Sequence, residues 1–244
     1  MIASPNGAIP QRLRRRYRKG SALTNGEGLS LVAASVARRV TAVEMVRDTL
    51  RSAILRGDLP GDSRLVQTEI AHQLGVSTTP VREAMRDLAS QGFITLDSHR
   101  IGTVRRPDWD EMAEIVEIRR NLERYAIGLA MARITADELK QARQLAEQLS
   151  AEEDLGSWVQ KNEEFHSIFH RATGTTRLAG FLISLENAGG MFVAQAQRLH
   201  PEIRKRAVHD HFALLDGYEE KDLDSVFAIQ YEHISLPLQG AEGV

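Results

Sequence analysis

Eight histidines and no cysteine occur in this 244-residue chain, and four side chains stand at spacings with a defined chemistry. Asn162 and His166 are four apart in VQKNEEFHSIFH, so on a helix they share one face. His211 and His233 fall inside two later segments of apolar periodicity, and three helices can aim such groups at one point. Imidazoles from separate helices plus one oxygen donor suit Zn²⁺, Ni²⁺ or Mn²⁺, with positions open for water or a ligand carboxylate. Without cysteine, disulfides and thiolate nucleophiles are excluded, and any metal must be held through histidine and carboxylate or amide oxygen. On spacing alone, hydrogen-bonded core histidines account for the same pattern. His170, four residues after His166, offers a rival pair, and His209 fits a solvent-facing position.

The elements that must carry these groups are helices. Beyond Pro107 the apolar spacing predicts helices over Asp108–Arg133, Thr135–Glu153, Leu155–Thr173, Arg177–His200, Pro201–Tyr218 and Lys221–Leu238. Thr135 and Glu138 form a capping box at the start of the second. Six helices without a convincing strand describe an all-α bundle. Trp109, Ile115, Ile118, Leu122, Ile127 and Met131 belong to its core or to an interface.

A second chemistry lies upstream, in QTEIAHQLGVSTTPVREAMRDLASQG from Gln67 to Gly92. Ile70, Ala71 and Leu74 give a first short helix its apolar face, Gly75 tolerates the positive φ of a tight turn, and Ser77–Pro80 opens a second helix with a hydroxyl cap. Val81, Ala84, Met85 and Leu88 bury that helix. Its opposite face carries Ser77, Thr78, Thr79, Arg82 and Arg86, polar and cationic groups suited to bases and phosphates. An ordinary helical hairpin would share this pattern. The residues after Gly92 separate the two: Phe93–Leu96 reads as a strand, Asp97–Gly102 as a turn, and Thr103–Arg106 as a return strand. Such a ribbon after a recognition helix is a wing, setting His99, Arg100, Arg105 and Arg106 against the DNA backbone or minor groove. Val43–Arg56 is an amphipathic helix stopped at Gly57. The unit is a winged helix-turn-helix.

At the run AILRGDLPGDSRLVQTEIAHQLGVSTTPVREAMRDLASQGFI and the wing glycine Gly102, the chain resembles the GntR family of bacterial transcription regulators over residues 41–106. Where that family often places basic residues, this chain has Thr68 and Thr78, while Arg82 is retained. The segments NEEFHSIFHRATGTTRL and DHFALLDGYEEKDLDSVFAIQYEHI are similar to the all-helical ligand-binding FCD domain of the FadR branch, over roughly 108–238. That resemblance implies a divalent metal held by Asn162, His166, His211 and His233, with an amide where relatives often have Asp. It also implies an effector carboxylate paired with Arg119, beside Glu123. A structural ion pair between Arg119 and Glu123, at i and i+4, is the alternative.

The charge is distributed unevenly: residues 1–40 carry eight Lys/Arg against one Glu, 41–107 nine against eight, and 108–244 fourteen against 24 acids. The expected organisation is a basic, partly disordered N-terminal extension over 1–40, a DNA-binding domain over 41–106, and an effector-binding and dimerisation domain over 107–244. QRLRRRYRKG can add nonspecific phosphate contacts, and the acidic domain faces away from DNA. No apolar run approaches the roughly 18 residues that span a bilayer, and the arginine-rich start lacks the apolar stretch of a secretory signal, which predicts a cytoplasmic protein. The functional expectation is a homodimeric DNA-binding repressor that answers to a small organic acid and is not an enzyme, since no general base or nucleophile has distinctive spacing. A metal-dependent enzyme with a DNA-binding appendage and a metal sensor are the alternatives.

Overall fold

The computed structural model describes residues 26–97 and 101–241, with side-chain detail over 41–97 and 101–240. Helix α1, Gly26–Arg56, begins well upstream of Val43, where the apolar periodicity begins. GEGLSLVAASVARRV has no proline and is rich in Ala, Leu and Arg, so propensity carries the helix before any apolar stripe appears. The rest of the expected extension, 1–25, lies outside the described residues.

Ala42–Val244 forms one compact unit. Its first part is the winged head. Val46, Leu50 and Ile54 of α1 are buried, against α2 (Gln67–Leu74) and α3 (Thr78–Ser90). Gly75 at φ 65° makes the turn between these helices, and Ser77 stands at the N-cap of α3 without a side-chain cap bond. Three short antiparallel strands lie in the order β1 (Arg64–Leu65), β3 (Gly102–Val104), β2 (Ile94–Leu96). Ile94 faces Val104 and Leu65 faces Gly102. The sequence predicts the β2–β3 ribbon but not β1, which is too short to show any alternation.

The second part comprises α4 (Trp109–Met131), α5 (Ala136–Ala151), α6 (Leu155–Ala172), α7 (Thr176–Leu199), α8 (Glu202–Glu220) and α9 (Leu223–His233), then a 3-10 helix over Leu236–Ala241. The capping box is present: Thr135 Oγ1 accepts from Glu138 N and the Glu138 carboxylate accepts from Thr135 N. The expected Lys221–Leu238 helix breaks after His233, where the last turn tightens. Among the described residues, no helix is long and apolar enough to cross a membrane.

Head and bundle share one apolar core, from Val46 through Val104 to Ile127 and Leu236. The C-terminal half of α1 docks on α6 and α7. A Cβ on Gly156 would lie 3.1 Å from the Ser52 Cα, so the two helices meet almost backbone to backbone. Arg51, whose guanidinium also sits 5.0 Å from the Phe93 ring centre, pairs with Glu163 of α6. Arg198 of α7 donates to the Leu55 carbonyl, near the C-terminal end of α1.

Candidate metal centre and DNA-facing helix

The fold brings three of the four sequence-derived ligands to one point. His166 (α6), His211 (α8) and His233 (α9) are buried, and each offers a ligand atom within 4.8 Å of the others. His166 Nε2 and His233 Nε2 are 3.1 Å apart. Two nitrogens at about 2.1 Å from one ion, subtending roughly 90 to 110°, would be separated by about 3 to 3.4 Å. A shared N–H···N hydrogen bond fits that distance too; His211 separates the two cases. It is fully buried, and neither ring nitrogen has a partner. A buried imidazole with both nitrogens unsatisfied is costly unless something fills the gap. A cation among the three rings would satisfy one of these nitrogens, and the donor set of neutral imidazoles fits a borderline ion.

The surroundings prepare these rings. Burial holds the His166 and His211 imidazoles well below their ordinary pKa, with neighbouring histidines adding to the effect, so both rings are neutral near pH 7, the state a ligand requires. Asp210 Oδ2 lies 3.4 Å from His233 Nδ1, which places the His233 proton on Nδ1 and its lone pair on Nε2. Asn162 is buried and lines the same cavity as His166 and His233. Its Nδ2 donates to Glu186 Oε1 at 3.4 Å, so the carbonyl oxygen remains as its lone-pair donor.

Arg119 is buried and lines this cavity. It pairs with Glu186 at 2.5 Å and with Glu123 at 3.1 Å. The i, i+4 ion pair expected as the alternative is therefore present, in a wider network. His170, the rival to the triad, is drawn off by Glu123, with its Nε2 3.1 Å from Oε1. Burial pushes the Glu123 carboxyl up, but His170 and Arg119 outweigh it and bring it down to about 2. His209 is exposed, as its position predicts. Sequence reasoning missed Glu186 and Asp210, since a single acid inside a helix carries no periodic mark. The cavity measures about 30 Å³, room for about two waters. An organic acid enters only if its lining moves.

On the head, Ser77, Thr78 and Arg86 are exposed, Thr79 and Arg82 half-buried, and the buried Arg82 Nε has no partner. Gly102 is buried, and a Cβ there would lie 2.7 Å from Met85 Cε, so the wing glycine packs against the recognition helix. Two wing arginines are engaged within the chain. Arg105 pairs with Glu111 at 2.6 Å and Arg106 with Asp62 at 2.5 Å. His99 and Arg100 lie outside the described residues.

A model described as the FCD domain matches residues 114–236, and one described as bacterial regulatory proteins, gntR family, matches 42–104. The chain belongs to the GntR family of bacterial regulatory proteins. The GntR match contains α2, α3 and the sheet; the FCD match contains Arg119, Asn162 and the three histidines. Among curated relatives it is 31% identical over 139 residues to HTH-type transcriptional regulator McbR of Escherichia coli (strain K12), covering 55% of this chain and 63% of that one. It is 35% identical over 109 residues to the Nta operon transcriptional regulator of Aminobacter aminovorans, covering 44% and 51%. It is 43% identical over 93 residues to the "Probable D-xylose utilization operon transcriptional repressor" of Paenarthrobacter nicotinovorans, covering 38% and 41%. The matches thus span less than two thirds of each relative. The solved E. coli McbR/YncC aligns with TM-score 0.66 at 24% identity over 80% of this chain and 93% of that chain. A GntR-type regulator from Rhodococcus sp. RHA1 aligns with TM-score 0.66 at 21% identity over 84% and 99%. At those identities the likeness is one of fold.

Proposed function

We propose that this GntR-family chain is a DNA-binding transcription regulator, acting as a repressor, whose FCD bundle holds a divalent metal and answers to a small carboxylate. The observation that carries the reading is the convergence of His166, His211 and His233, with the orphaned His211 ring among them, and the first of these lies on α6, which packs against the helix entering the head. The names of the relatives, regulators of operons and in one case a repressor, support it.

Asn162, His166, His211 and His233 would hold Zn²⁺, Ni²⁺ or Mn²⁺, and the bound ion would supply positive charge for a carboxylate ligand. The chain's own residues do the rest. Asp210 orients His233, Arg119 is the cation that can turn from Glu186 toward an entering carboxylate, and Arg51–Glu163 and Arg198–Leu55 tie α6 and α7 to the helix entering the head. A shift of α6 or α7 then changes how the head sits, which is the differential affinity that regulation requires. Ser77, Thr78, Thr79, Arg82 and Arg86 read DNA from α3.

A homodimer completes the reading, because one helix-turn-helix reads too few base pairs to select a site. Tyr125 of α4 and Phe181 of α7 are 64% and 53% exposed, and Gly128 and Gly180, on the same helices, have open space above them, which suits a second copy. A metal-dependent enzyme is disfavoured: Glu123 and Glu186 are engaged by Arg119, and Asp210 by His233 and Arg206, so each candidate base is occupied.

Selection of duplexes from random DNA by the purified protein tests the reading. Enrichment of a two-fold symmetric site, with affinity that changes when an acid is added to the metal-loaded protein, is the expected result. No enriched site overturns it. A response to metal alone would instead identify a metal sensor.

A further inference from the structure

Gln197 of α7 lines the same cavity as Arg119, Asn162, His166 and His233, is nine-tenths buried, and has no partner for either its amide oxygen or its amide nitrogen. A buried amide with neither atom satisfied lowers stability unless a ligand supplies the missing bonds. The charged groups do not pair with it: Glu186, which binds Arg119 and Asn162, stands three helical turns away along α7, about 16 Å between backbone positions, with both side chains lining the cavity. The cavity therefore has two polar ends, one cationic and one an amide, separated by apolar lining from Met112, Val193 and Ile203.

Resting on the reading of a carboxylate-binding metal site, the geometry points to Gln197 as the residue that recognises the ligand's far end, and to a ligand that is a hydroxylated aliphatic carboxylate with its hydroxyl distal to the carboxylate. An amide offers two donors and an acceptor side by side, and a hydroxyl both accepts and donates, so hydroxyl satisfies it better than a carbonyl, which can only accept, or an ammonium, which can only donate. A site built for a hydroxyl rejects the analogue lacking it, because the amide is then left buried and unpaired. A ligand with a methyl terminus would leave Gln197 as it stands now.

Calorimetric titration of the protein in saturating Zn²⁺ with matched acids, butyrate against 4-hydroxybutyrate and hexanoate against 6-hydroxyhexanoate, tests this. A distal hydroxyl cannot reach a metal that holds the carboxylate as a short chelate would, so the comparison isolates the far end. At least one hydroxylated acid should bind about tenfold more tightly than its partner. Gln197→Met should reduce the preference to about twofold or less. The same variant should melt at or above the native temperature without acid, since it replaces an unpaired amide by an apolar side chain of similar shape. Equal binding of the paired acids, a preference that survives Gln197→Met, or a lowered melting temperature of that variant would overturn the assignment of Gln197 while leaving the carboxylate site standing. Failure of every acid to bind would overturn the carboxylate reading itself, and this assignment with it.

Discussion

Arg51, in the helix that enters the DNA-facing head, forms an ion pair with Glu163, the neighbour of Asn162 on the helix that carries His166. The pair is nearly buried, and Arg51 also lies over Phe93 at the start of the wing. These two side chains connect α6 to the base of the wing, so a displacement of α6 around the histidines would have a route to it.

Burial and nearby Glu186 raise the Glu163 carboxyl to about 8 against the pull of Arg51, so without Arg51 it takes up a proton, whereas removing Glu163 alone would strand the Arg51 charge at a cost of about 3 to 5 kcal/mol; removing both avoids that penalty. The double variant Arg51→Gln with Glu163→Gln should fold and bind DNA within a few-fold of the native protein. It should lose the difference in operator affinity between metal-loaded and chelator-treated protein. Fluorescence anisotropy on a selected duplex measures this, and an undiminished difference would remove the pair from the transmission route.

Arg82 lies on α3 with its Nε unpartnered. Arg82→Ala should weaken specific binding by at least about 1 kcal/mol and flatten the dependence on salt, as expected for loss of a contact to base or phosphate. A salt titration with unchanged affinity and slope would refute this role.

Asn162 and His166 were legible as a pair because helical spacing fixes which residues share a face, and the resemblance to the FCD domain added His211 and His233; the recognition helix was legible because its stripe, turn glycine and wing repeat known local chemistry. The features hidden in the sequence depend on contacts distant along the chain. Glu186, Asp210 and Gln197 are single polar residues in helices, and only packing shows that one binds Arg119, one orients His233 and one has no partner. The shared core was hidden for the same reason: Arg51 and Ser52 look like solvent-facing residues of an amphipathic helix until α6 is seen against them. The partners of Arg105 and Arg106 were hidden too: Glu111 and Asp62 are acids set near them by α4 and the loop.

Asn162→Asp tests the neutral ligand. The new carboxylate adds negative charge beside Glu186, so the chelator-treated variant should melt below the native protein. With metal it should regain stability and bind the ion about tenfold or more tightly, since a full charge faces the cation in a buried site. Melts with and without Zn²⁺, Ni²⁺ or Mn²⁺ separate this from a variant that is destabilised with no metal response.

The histidines also set a dependence on pH. His166 and His211 keep depressed pKa values when folded, while unfolded histidine titrates near about 6.5. Below that value the unfolded chain binds more protons, so these two histidines make the metal-free protein less stable as the pH drops, by up to about 2.7 kcal/mol per unit between them. Glu163, which burial raises to about 8, works the other way over the same range, so denaturant titrations at pH 7.5 and 5.5 on the Arg51→Gln, Glu163→Gln double variant check the sign, and a double variant more stable at pH 5.5 would contradict it.

For assembly, light scattering should report about 54 kDa at micromolar concentration, twice the 27.2 kDa chain. Tyr125→Glu with Phe181→Glu should give the monomer with helicity preserved. A native monomer would count against a two-fold reader.

The central claim is that the converging histidines hold a metal ion. Thermal melting of chelator-treated protein, titrated with Zn²⁺, Ni²⁺ or Mn²⁺ beside His211→Ala, tests it most directly. The native protein should show a saturable rise in melting temperature with at least one ion, worth at least about 2 kcal/mol at about a hundredfold excess over Kd, and His211→Ala should lose it. A native melting temperature unmoved by all three ions, or a rise that persists without His211, would contradict it.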